Sequence, residues 1–169
     1  MRCVTGLLAL AFACGCAQPG FDLRSDRATV VVFLATDCPI ANSYAPELAA
    51  IANAHAADGL RFCCVHVDRD LTHAAAVAHA REFNLPGEIV LDPGHELVHR
   101  LGAEATPEVF VLLPDGTVAY RGRIDDAWPD LGQRQRVVTK RELRDALAAV
   151  VAGRMPAVRR TVPVGCVIE

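Results

Sequence analysis

Seven cysteines carry the most distinctive chemistry in this 169-residue chain. One of them, Cys38, follows a β-branched apolar run and is itself followed by Pro39. A cysteine that ends a buried strand and opens a helix lies among free backbone N–H groups, which favour its thiolate, although the carboxylate of Asp37 opposes this. Because a thiolate is the nucleophile in disulfide exchange and in peroxide reduction, we predict that Cys38 is a redox nucleophile.

A second cysteine, Cys166, stands in the C-terminal sequence VPVGCVIE, beyond the last predicted helix. The segment from Ala152 to Cys166 can span up to ~45 Å when extended, so it is long enough to return to Cys38. Cys166 is therefore a candidate resolving thiol, able to attack a mixed disulfide or a sulfenic acid on Cys38. An unpaired tail thiol and an intermolecular bridge are the alternatives.

The other cysteines and histidines of the core region are weaker candidates. Cys63 and Cys64 are neighbours in a predicted strand, so their side chains point to opposite faces and are expected to act as small buried hydrophobes. His66, His73 and His79 could join Cys38 in a copper site, since imidazole and thiolate suit that metal. Core or solvated histidines are the simpler interpretation, and no metal site is predicted.

The stretch from His95 to His99 spells HExxH, the signature of zinc proteases. Pro93 and Gly94 precede it and Gly102 follows closely, so the first histidine would lie at the start of a very short helix. We therefore do not predict a metalloprotease. No Gly-rich phosphate loop is present in the sequence, and no organic cofactor is predicted.

Two arginines, Arg121 and Arg123, flank Gly122 in the sequence YRGRIDD. One of them could stabilise a thiolate or a sulfenate. A salt bridge to Asp125 or Asp126 is the simpler expectation.

The elements that would position Cys38 alternate between strands and helices. Apolar and β-branched runs predict strands at 29–35, 60–67, 88–91, 108–113 and 117–121, the last two joined by a Pro-Asp-Gly turn. Helical patterns occupy 45–57, interrupted by Pro46, and 71–83, 96–101 and 140–151, the last predicted to be capped by Thr139 with Glu142 in a capping box. This order predicts an α/β sandwich around a mixed sheet.

Composition excludes several classes of function. The net charge is −3 and the basic residues are scattered, which gives no support to a nucleic-acid partner. No apolar run reaches the ~18 residues that a membrane-spanning helix needs. Residues 1–15 resemble a secretory signal, with Arg2 before an apolar stretch, and the small residues before Cys16 resemble a bacterial lipobox. A lipid anchor on Cys16 would be the only membrane contact, and cleavage after Ala13 is the alternative.

The residues around Cys38 resemble the thioredoxin fold. In that family a proline falls eight residues after the reactive cysteine, as Pro46 does after Cys38, and a cis-proline before the hairpin strand lies beside that cysteine, in the place of Pro107. The resemblance covers residues 30–151. It implies a thioredoxin-like α/β fold in which Pro107, preceded by Thr106, shapes the groove next to Cys38.

More narrowly, the chain is similar to redoxin-domain proteins of the alkyl hydroperoxide reductase/thiol-specific antioxidant group. Small exported members carry DCPI at the nucleophile, YRGRIDD after the hairpin and GC near the C-terminus, and residues 37–40, 120–126 and 165–166 match those places. The chain departs from two related motifs. It reads Cys38-Pro39-Ile40-Ala41 where thioredoxins have CxxC, and Thr36 stands two residues before Cys38, where the peroxiredoxin motif PxxxTxxC has its threonine three before.

Together these features predict a signal peptide at 1–15, an N-terminal segment at 16–28, a thioredoxin-like domain at 29–152 and a C-terminal tail at 153–169. The expected function is that of an exported thiol-disulfide oxidoreductase of the periplasm or cell envelope. Its catalytic residues would be Cys38, Cys166, Pro107 and Thr36. Its partners would be a protein or small-molecule disulfide, or peroxide, and an external thiol reductant. The alternatives are a thiol peroxidase and a non-catalytic module that binds copper or a partner protein.

Overall fold

The protein was analysed as a computed structural model, which describes Asp22, Leu23 and residues 25–169. The predicted signal peptide, Ala13 and Cys16 lie outside the described residues. No helix in the described part of the chain is long and apolar enough to cross a membrane.

Five strands form one mixed sheet in the order β3-β2-β1-β5-β6. They are β1 (Ala28–Leu34), β2 (Leu60–His66), β3 (Glu88–Leu91), β5 (Glu108–Leu112) and β6 (Val118–Gly122). Two further strands, β4 (Ala105–Thr106) and β7 (Cys166–Val167), pair with each other outside this sheet. The helices are α1 (Pro39–Ser43), α2 (Ala45–Ala54), α3 (His73–Phe83), α4 (Glu96–Leu101) and α5 (Glu142–Val151).

Strand β1 is the centre of the sheet, and all seven of its residues are buried. It runs parallel to β2 and antiparallel to β5. A strand that is covered on both faces is apolar at every position, which explains the unbroken run of β-branched residues. Helices α2 and α5 pack on one face of the sheet and α4 packs on the other. The predicted thioredoxin-like α/β fold is confirmed.

Two predictions about the helices were wrong. Pro46 does not interrupt the helix expected at 45–57, which forms as α2 at Ala45–Ala54, because this proline lies in the first turn, where its missing N–H group breaks no helical hydrogen bond. The short helix α1 precedes α2 and is separated from it by Tyr44. Thr139 does not cap α5, which begins at Glu142 and has no side-chain cap. The Thr139 side chain and backbone bind the carboxylate of Asp126 instead, because that buried group needs donors.

The pairing of β4 with β7 was not expected from the sequence. Two-residue strands have no periodicity to detect, and their register depends on contacts far along the chain. Ala105 pairs with Val167 and Thr106 pairs with Cys166. The C-terminal tail, residues 153–169, therefore packs back onto the domain and brings its cysteine to the sheet edge that carries Pro107.

Candidate active site

Cys38 lies at the point where the chain leaves β1 and enters α1. It is the N-cap residue of α1, and its sulfur accepts a hydrogen bond from the backbone N–H of Ala41 at 3.5 Å. The side chain is fully buried, with 0% of its surface exposed. The strand thus delivers Cys38 to a helix start, where N–H groups favour a negative sulfur.

The peptide bond between Thr106 and Pro107 is cis. The Sγ atom of Cys38 lies 3.0 Å from the carbonyl oxygen of Thr106, to which the thiol donates. Pro107 is therefore next to the predicted nucleophile in space, although the two are far apart in sequence.

Cys166 reaches the same place through β7. The Sγ atoms of Cys166 and Cys38 are 2.7 Å apart, and the Cys166 thiol donates to the Cys38 sulfur. Both cysteines are free thiols in this structure. The tail therefore brings the predicted nucleophile and the predicted resolving thiol into direct contact.

Several contacts hold the tail against the domain. Gly165 passes so close to β4 that a Cβ atom there would overlap the carbonyl oxygen of Thr106. The backbone N–H of Ile168 donates to the carbonyl of Glu104 at 3.1 Å. Further back, the Thr161 hydroxyl bonds Tyr120 Oη at 2.8 Å and accepts from the N–H of Arg123 at 3.0 Å. The position of Cys166 thus depends on the whole tail.

Burial alone would raise the pKa of Cys38, but the hydrogen bonds around its sulfur outweigh burial and lower that pKa. The donors are the side chains of Cys166 and Thr106 and the backbone N–H groups of Ala41 and Cys166. While Cys38 is protonated and donates to the Thr106 carbonyl, the buried Thr106 hydroxyl has no partner among the described residues. When the Cys38 sulfur ionises, the Thr106 hydroxyl can donate a hydrogen bond to it.

The pKa of Cys166 moves the other way, to about 11. Burial is the largest cause, and the hydrogen bond to Cys38 and the negative charges of Cys38 and Asp37 add to it. When one sulfur of the pair ionises, Cys38 is therefore the one favoured to carry the negative charge.

Thr36, the fourth predicted site residue, does not face Cys38 with its hydroxyl. Its hydroxyl donates to Asp68 Oδ1 at 2.9 Å, and its backbone N–H also points at the Asp68 carboxylate. Its carbonyl accepts from the side-chain amide of Asn42 at 2.9 Å. Thr36 thus anchors the loop before Cys38 between β2 and α1, and the structure gives it no contact with the reacting sulfur.

A chain of side chains leads from this loop into the core. Asn42 Nδ2 donates to Thr36, so Asn42 Oδ1 accepts from His79 Nε2 at 3.0 Å. His79 Nδ1 must then accept from His66 Nε2, also at 3.0 Å. This order of donors leaves His66 Nδ1 unprotonated and without a partner among the described residues. Both rings are buried and neutral in this arrangement.

The structure does not gather the remaining candidate metal ligands around Cys38. Cys63 and Cys64 are buried on opposite faces of the sheet, as predicted. His73 is exposed at the start of α3. His95 turns its Nε2 to the carbonyl of Val67 at 2.9 Å, while His99 is exposed. Within residues 22, 23 and 25–169, no three His, Cys, Asp or Glu side chains converge as a metal site requires.

The prediction for the two arginines was wrong. Arg121 binds the fully buried Glu108, with Nη2 2.7 Å from Oε1, and Arg123 binds Glu142 of α5. Neither forms an ion pair with Asp125 or Asp126 among the described residues. A buried carboxylate needs a paired cation or hydrogen-bond donors: Asp125 and Asp126 have donors in Tyr44 and Thr139, whereas Glu108 and Glu142 bind the two arginines.

Comparison with known proteins agrees with this geometry. Residues 21–121, more than half of the chain, match the model of the AhpC/TSA family. The chain belongs to the AhpC/TSA family. A comparison of this family member with curated proteins finds no match.

Several solved structures have a fold similar to that of this chain. An uncharacterized conserved protein from Geobacillus kaustophilus superimposes with a TM-score of 0.76 and 27% identity, covering 88% of this chain and 79% of that one. A hypothetical protein from Sinorhizobium meliloti superimposes with a TM-score of 0.73 and 25% identity, covering 84% of this chain and 79% of that one. A third structure is a secreted disulfide oxidoreductase of Mycobacterium tuberculosis, described as homologous to DsbE of E. coli. It superimposes with a TM-score of 0.51 and 20% identity, covering 78% of this chain and 84% of that one. The last similarity shows the fold alone.

Sequence reasoning named three of the residues that meet at this site and missed others. The structure brings together Cys38, Cys166 and Pro107, and sets Thr36 aside. The sequence analysis did not single out Asp68 or Asn42, and it used Gly165 only as part of the matched Gly-Cys pair. Its role here is steric, since only a residue without a Cβ atom can pass so close to Thr106. Asp68 and Asn42 act through contacts that only the folded chain reveals.

Replacing Gly165 with Ala should detach the tail from β4. The added Cβ would overlap Thr106, and overpacking of about 1–3 kcal/mol would raise the detached population roughly 5- to 150-fold. Alkylation of reduced Cys38 by iodoacetamide, followed by peptide mass spectrometry, should accelerate accordingly. Gly94→Ala is the matched control, because a Cβ at Gly94 has its nearest atom, Glu96 Cγ, at 3.9 Å. An unchanged rate for Gly165→Ala would contradict this account of the tail.

The buried histidine pair should make the fold sensitive to acid. Burial and the neighbouring His79 lower the pKa of His66 from 6.5 to about 4. The unfolded chain therefore binds more protons below pH 6.5, and the free energy of unfolding should fall by about 2 kcal/mol from pH 7.5 to 5 on account of His66. Urea unfolding across this range should show a smaller loss for His66→Phe.

The exposed His73 offers the matched control, and His73→Gln should keep the pH dependence of the unmodified protein. Equal losses of stability for His66→Phe and for the unmodified protein would contradict the proposed role of the buried ring.

Proposed function

We propose that the protein is a thiol-disulfide oxidoreductase that cycles between a dithiol and a Cys38–Cys166 disulfide. The observation that carries the proposal is the 2.7 Å contact between the two sulfurs beside a cis-proline. One sulfur is favoured as a thiolate and the other as a thiol. This asymmetry suits a pair in which one member attacks and the other resolves.

In the oxidative half of the cycle, the Cys38 thiolate attacks one sulfur of a substrate disulfide. A mixed disulfide forms on Cys38 and the other substrate sulfur leaves as a thiolate. Cys166 then loses its proton and attacks the Cys38 sulfur, which releases the second substrate thiol and leaves the Cys38–Cys166 disulfide. The substrate gains two electrons and the protein loses two.

The surrounding residues would support this cycle in different ways. Pro107 holds the Thr106 carbonyl next to the sulfur of Cys38. Thr36 acts as a positioning residue, since its two bonds to Asp68 and its bond from Asn42 hold the loop that precedes Cys38. Neither proline nor threonine transfers electrons or protons in the proposed steps.

Membership of the AhpC/TSA family favours a second candidate, a thiol peroxidase. Cys38 would attack a peroxide oxygen, release water or an alcohol and become a sulfenic acid. Cys166 would then displace water and form the same disulfide. The third possibility, a non-catalytic module for copper or a partner protein, requires that Cys38 be dispensable.

We also propose export to the periplasm or cell envelope, with residues 1–15 as the signal peptide and Cys16 as the lipid-bearing residue. The layout of charge, apolar stretch and small residues supports this proposal. The described disulfide oxidoreductase of Mycobacterium tuberculosis is a secreted protein. A reversible disulfide between Cys38 and Cys166 suits an oxidising compartment.

Disulfide mapping tests the redox pair. The full chain carrying Cys3→Ser, Cys14→Ser and Cys16→Ser is reduced, treated with one equivalent of oxidised glutathione or of hydrogen peroxide, and digested for mass spectrometry. We expect a Cys38–Cys166 bond that dithiothreitol reverses, while buried Cys63 and Cys64 stay reduced because burial raises their pKa values, to about 11 and about 12. When Cys166→Ser is added to this background, oxidation by oxidised glutathione should end at a mixed disulfide between glutathione and Cys38. A Cys38 that remains a thiol under both oxidants would overturn the proposal.

The two oxidants also distinguish the enzyme candidates. An oxidoreductase should form the disulfide faster with oxidised glutathione than a free thiol of the same pKa does, and should react with peroxide no faster than that free thiol. A second-order rate with hydrogen peroxide far above the free-thiol rate would select the peroxidase. Stopped-flow measurement of both rates on the same preparation decides between them.

A further inference from the structure

We infer that the oxidised protein is reduced by attack on the sulfur of Cys166, and that low-molecular-weight thiols are the reductants that its docked tail admits. This inference rests on the proposed function, because the bond under attack is the Cys38–Cys166 disulfide. It assigns Cys166 the contact with the external reductant, whereas the oxidative half of the cycle begins at Cys38.

The first argument is access. Cys38 has no exposed surface, whereas Cys166 is partly exposed. A cavity of about 390 Å³ opens beside the pair, and Cys166 lines it while Cys38 does not. In the disulfide form the covalent bond would tether β7 over Cys38, so the tail could not move away to uncover that sulfur.

The second argument is the leaving group. Attack on Cys166 expels Cys38, whose sulfur accepts a hydrogen bond from the N–H of Ala41 at the start of α1. Attack on Cys38 would expel Cys166, which lies near the exposed carboxylate of Asp37. The lower-pKa thiolate leaves faster in disulfide exchange, so geometry and charge favour the same sulfur.

The third argument concerns the size of the reductant. An extended peptide can bind a protein by adding a strand to a free sheet edge. In the docked state β7 already occupies the edge of β4, with Thr106 paired to Cys166 and Ala105 paired to Val167. The cavity beside Cys166 offers an entrance, and its lining includes Asp37, Asp68, Arg69 and His95. Its volume matches a small molecule rather than a protein surface.

The reaction balances as two exchanges. A first thiolate, RS⁻, attacks Cys166 Sγ, forms a mixed disulfide there and releases the Cys38 thiolate. A second RS⁻ attacks the sulfur of the bound R group, forms RSSR and releases the Cys166 thiolate, which takes a proton from water. The protein disulfide gains two electrons, and two small thiols supply them.

Peptide mapping of the intermediate tests the site of attack. The full chain in the Cys3→Ser, Cys14→Ser, Cys16→Ser background is oxidised, and the Cys38–Cys166 bond is verified by mass spectrometry. It is then mixed with excess reduced glutathione, quenched in acid at short times and digested with pepsin. We expect glutathione on the Cys166 peptide. Glutathione on the Cys38 peptide would overturn the inference and leave the proposed function intact, whereas failure of the starting disulfide to form would overturn the proposed function itself.

A rate comparison tests the class of reductant. Reduced glutathione and a thioredoxin-type protein dithiol are compared at equal thiolate concentration, with loss of the disulfide as the readout. With the unmodified tail, we expect reduced glutathione to reduce the Cys38–Cys166 disulfide at least as fast as the protein dithiol does. The Gly165→Ala variant, whose tail no longer fits against β4, should gain reactivity toward the protein dithiol, and Gly94→Ala should not. A protein dithiol that reacts faster than glutathione with the unmodified tail would overturn the assignment.

Discussion

The pairing of β4 with β7 decides what the cysteines of this chain can do. It brings together two sulfurs that are separated by 128 positions in sequence, through two-residue strands and a glycine at the closest approach. In the described chain Cys38 lacks a CxxC partner one helical turn away, so a partner must come from elsewhere. The fold supplies it by returning the chain end to the edge that carries the cis-proline.

The same pairing makes the two sulfurs chemically different. Cys38 is held inside the domain by donors from α1, β4 and the tail, and its negative form is stabilised there. Cys166 sits at the rim, near a carboxylate and a cavity. The Cys38 sulfur is thus the one favoured to be negative, and the Cys166 sulfur is the one exposed to solvent. This difference follows from where the backbone places each cysteine, since the two side chains are chemically identical.

The sequence predicted those features of this arrangement that depend on residues close together in the chain. The unbroken apolar run of β1, the helix that starts after Cys38 and the hairpin around Pro114–Gly116 each have a signature within a few residues. Resemblance to the thioredoxin fold added the place of Pro107. What it missed depends on distant partners: Arg121 binds Glu108 across β5 and β6, and Thr139 satisfies Asp126 instead of capping α5. Buried charge is paired by the fold, and such pairs leave no local pattern.

The long sequence separation of the two cysteines couples the redox state of the pair to the stability of the whole domain. Closing a loop of 128 residues removes chain entropy from the unfolded state, which the entropy model puts at about 5 kcal/mol. In a thermodynamic cycle the same free energy favours the disulfide in the folded protein over the unfolded one, equivalent to about 100 mV for a two-electron couple. In the proposed cycle an oxidising environment would therefore act on this protein as a stabilising ligand does, and each reduction would return the domain to its less stable form.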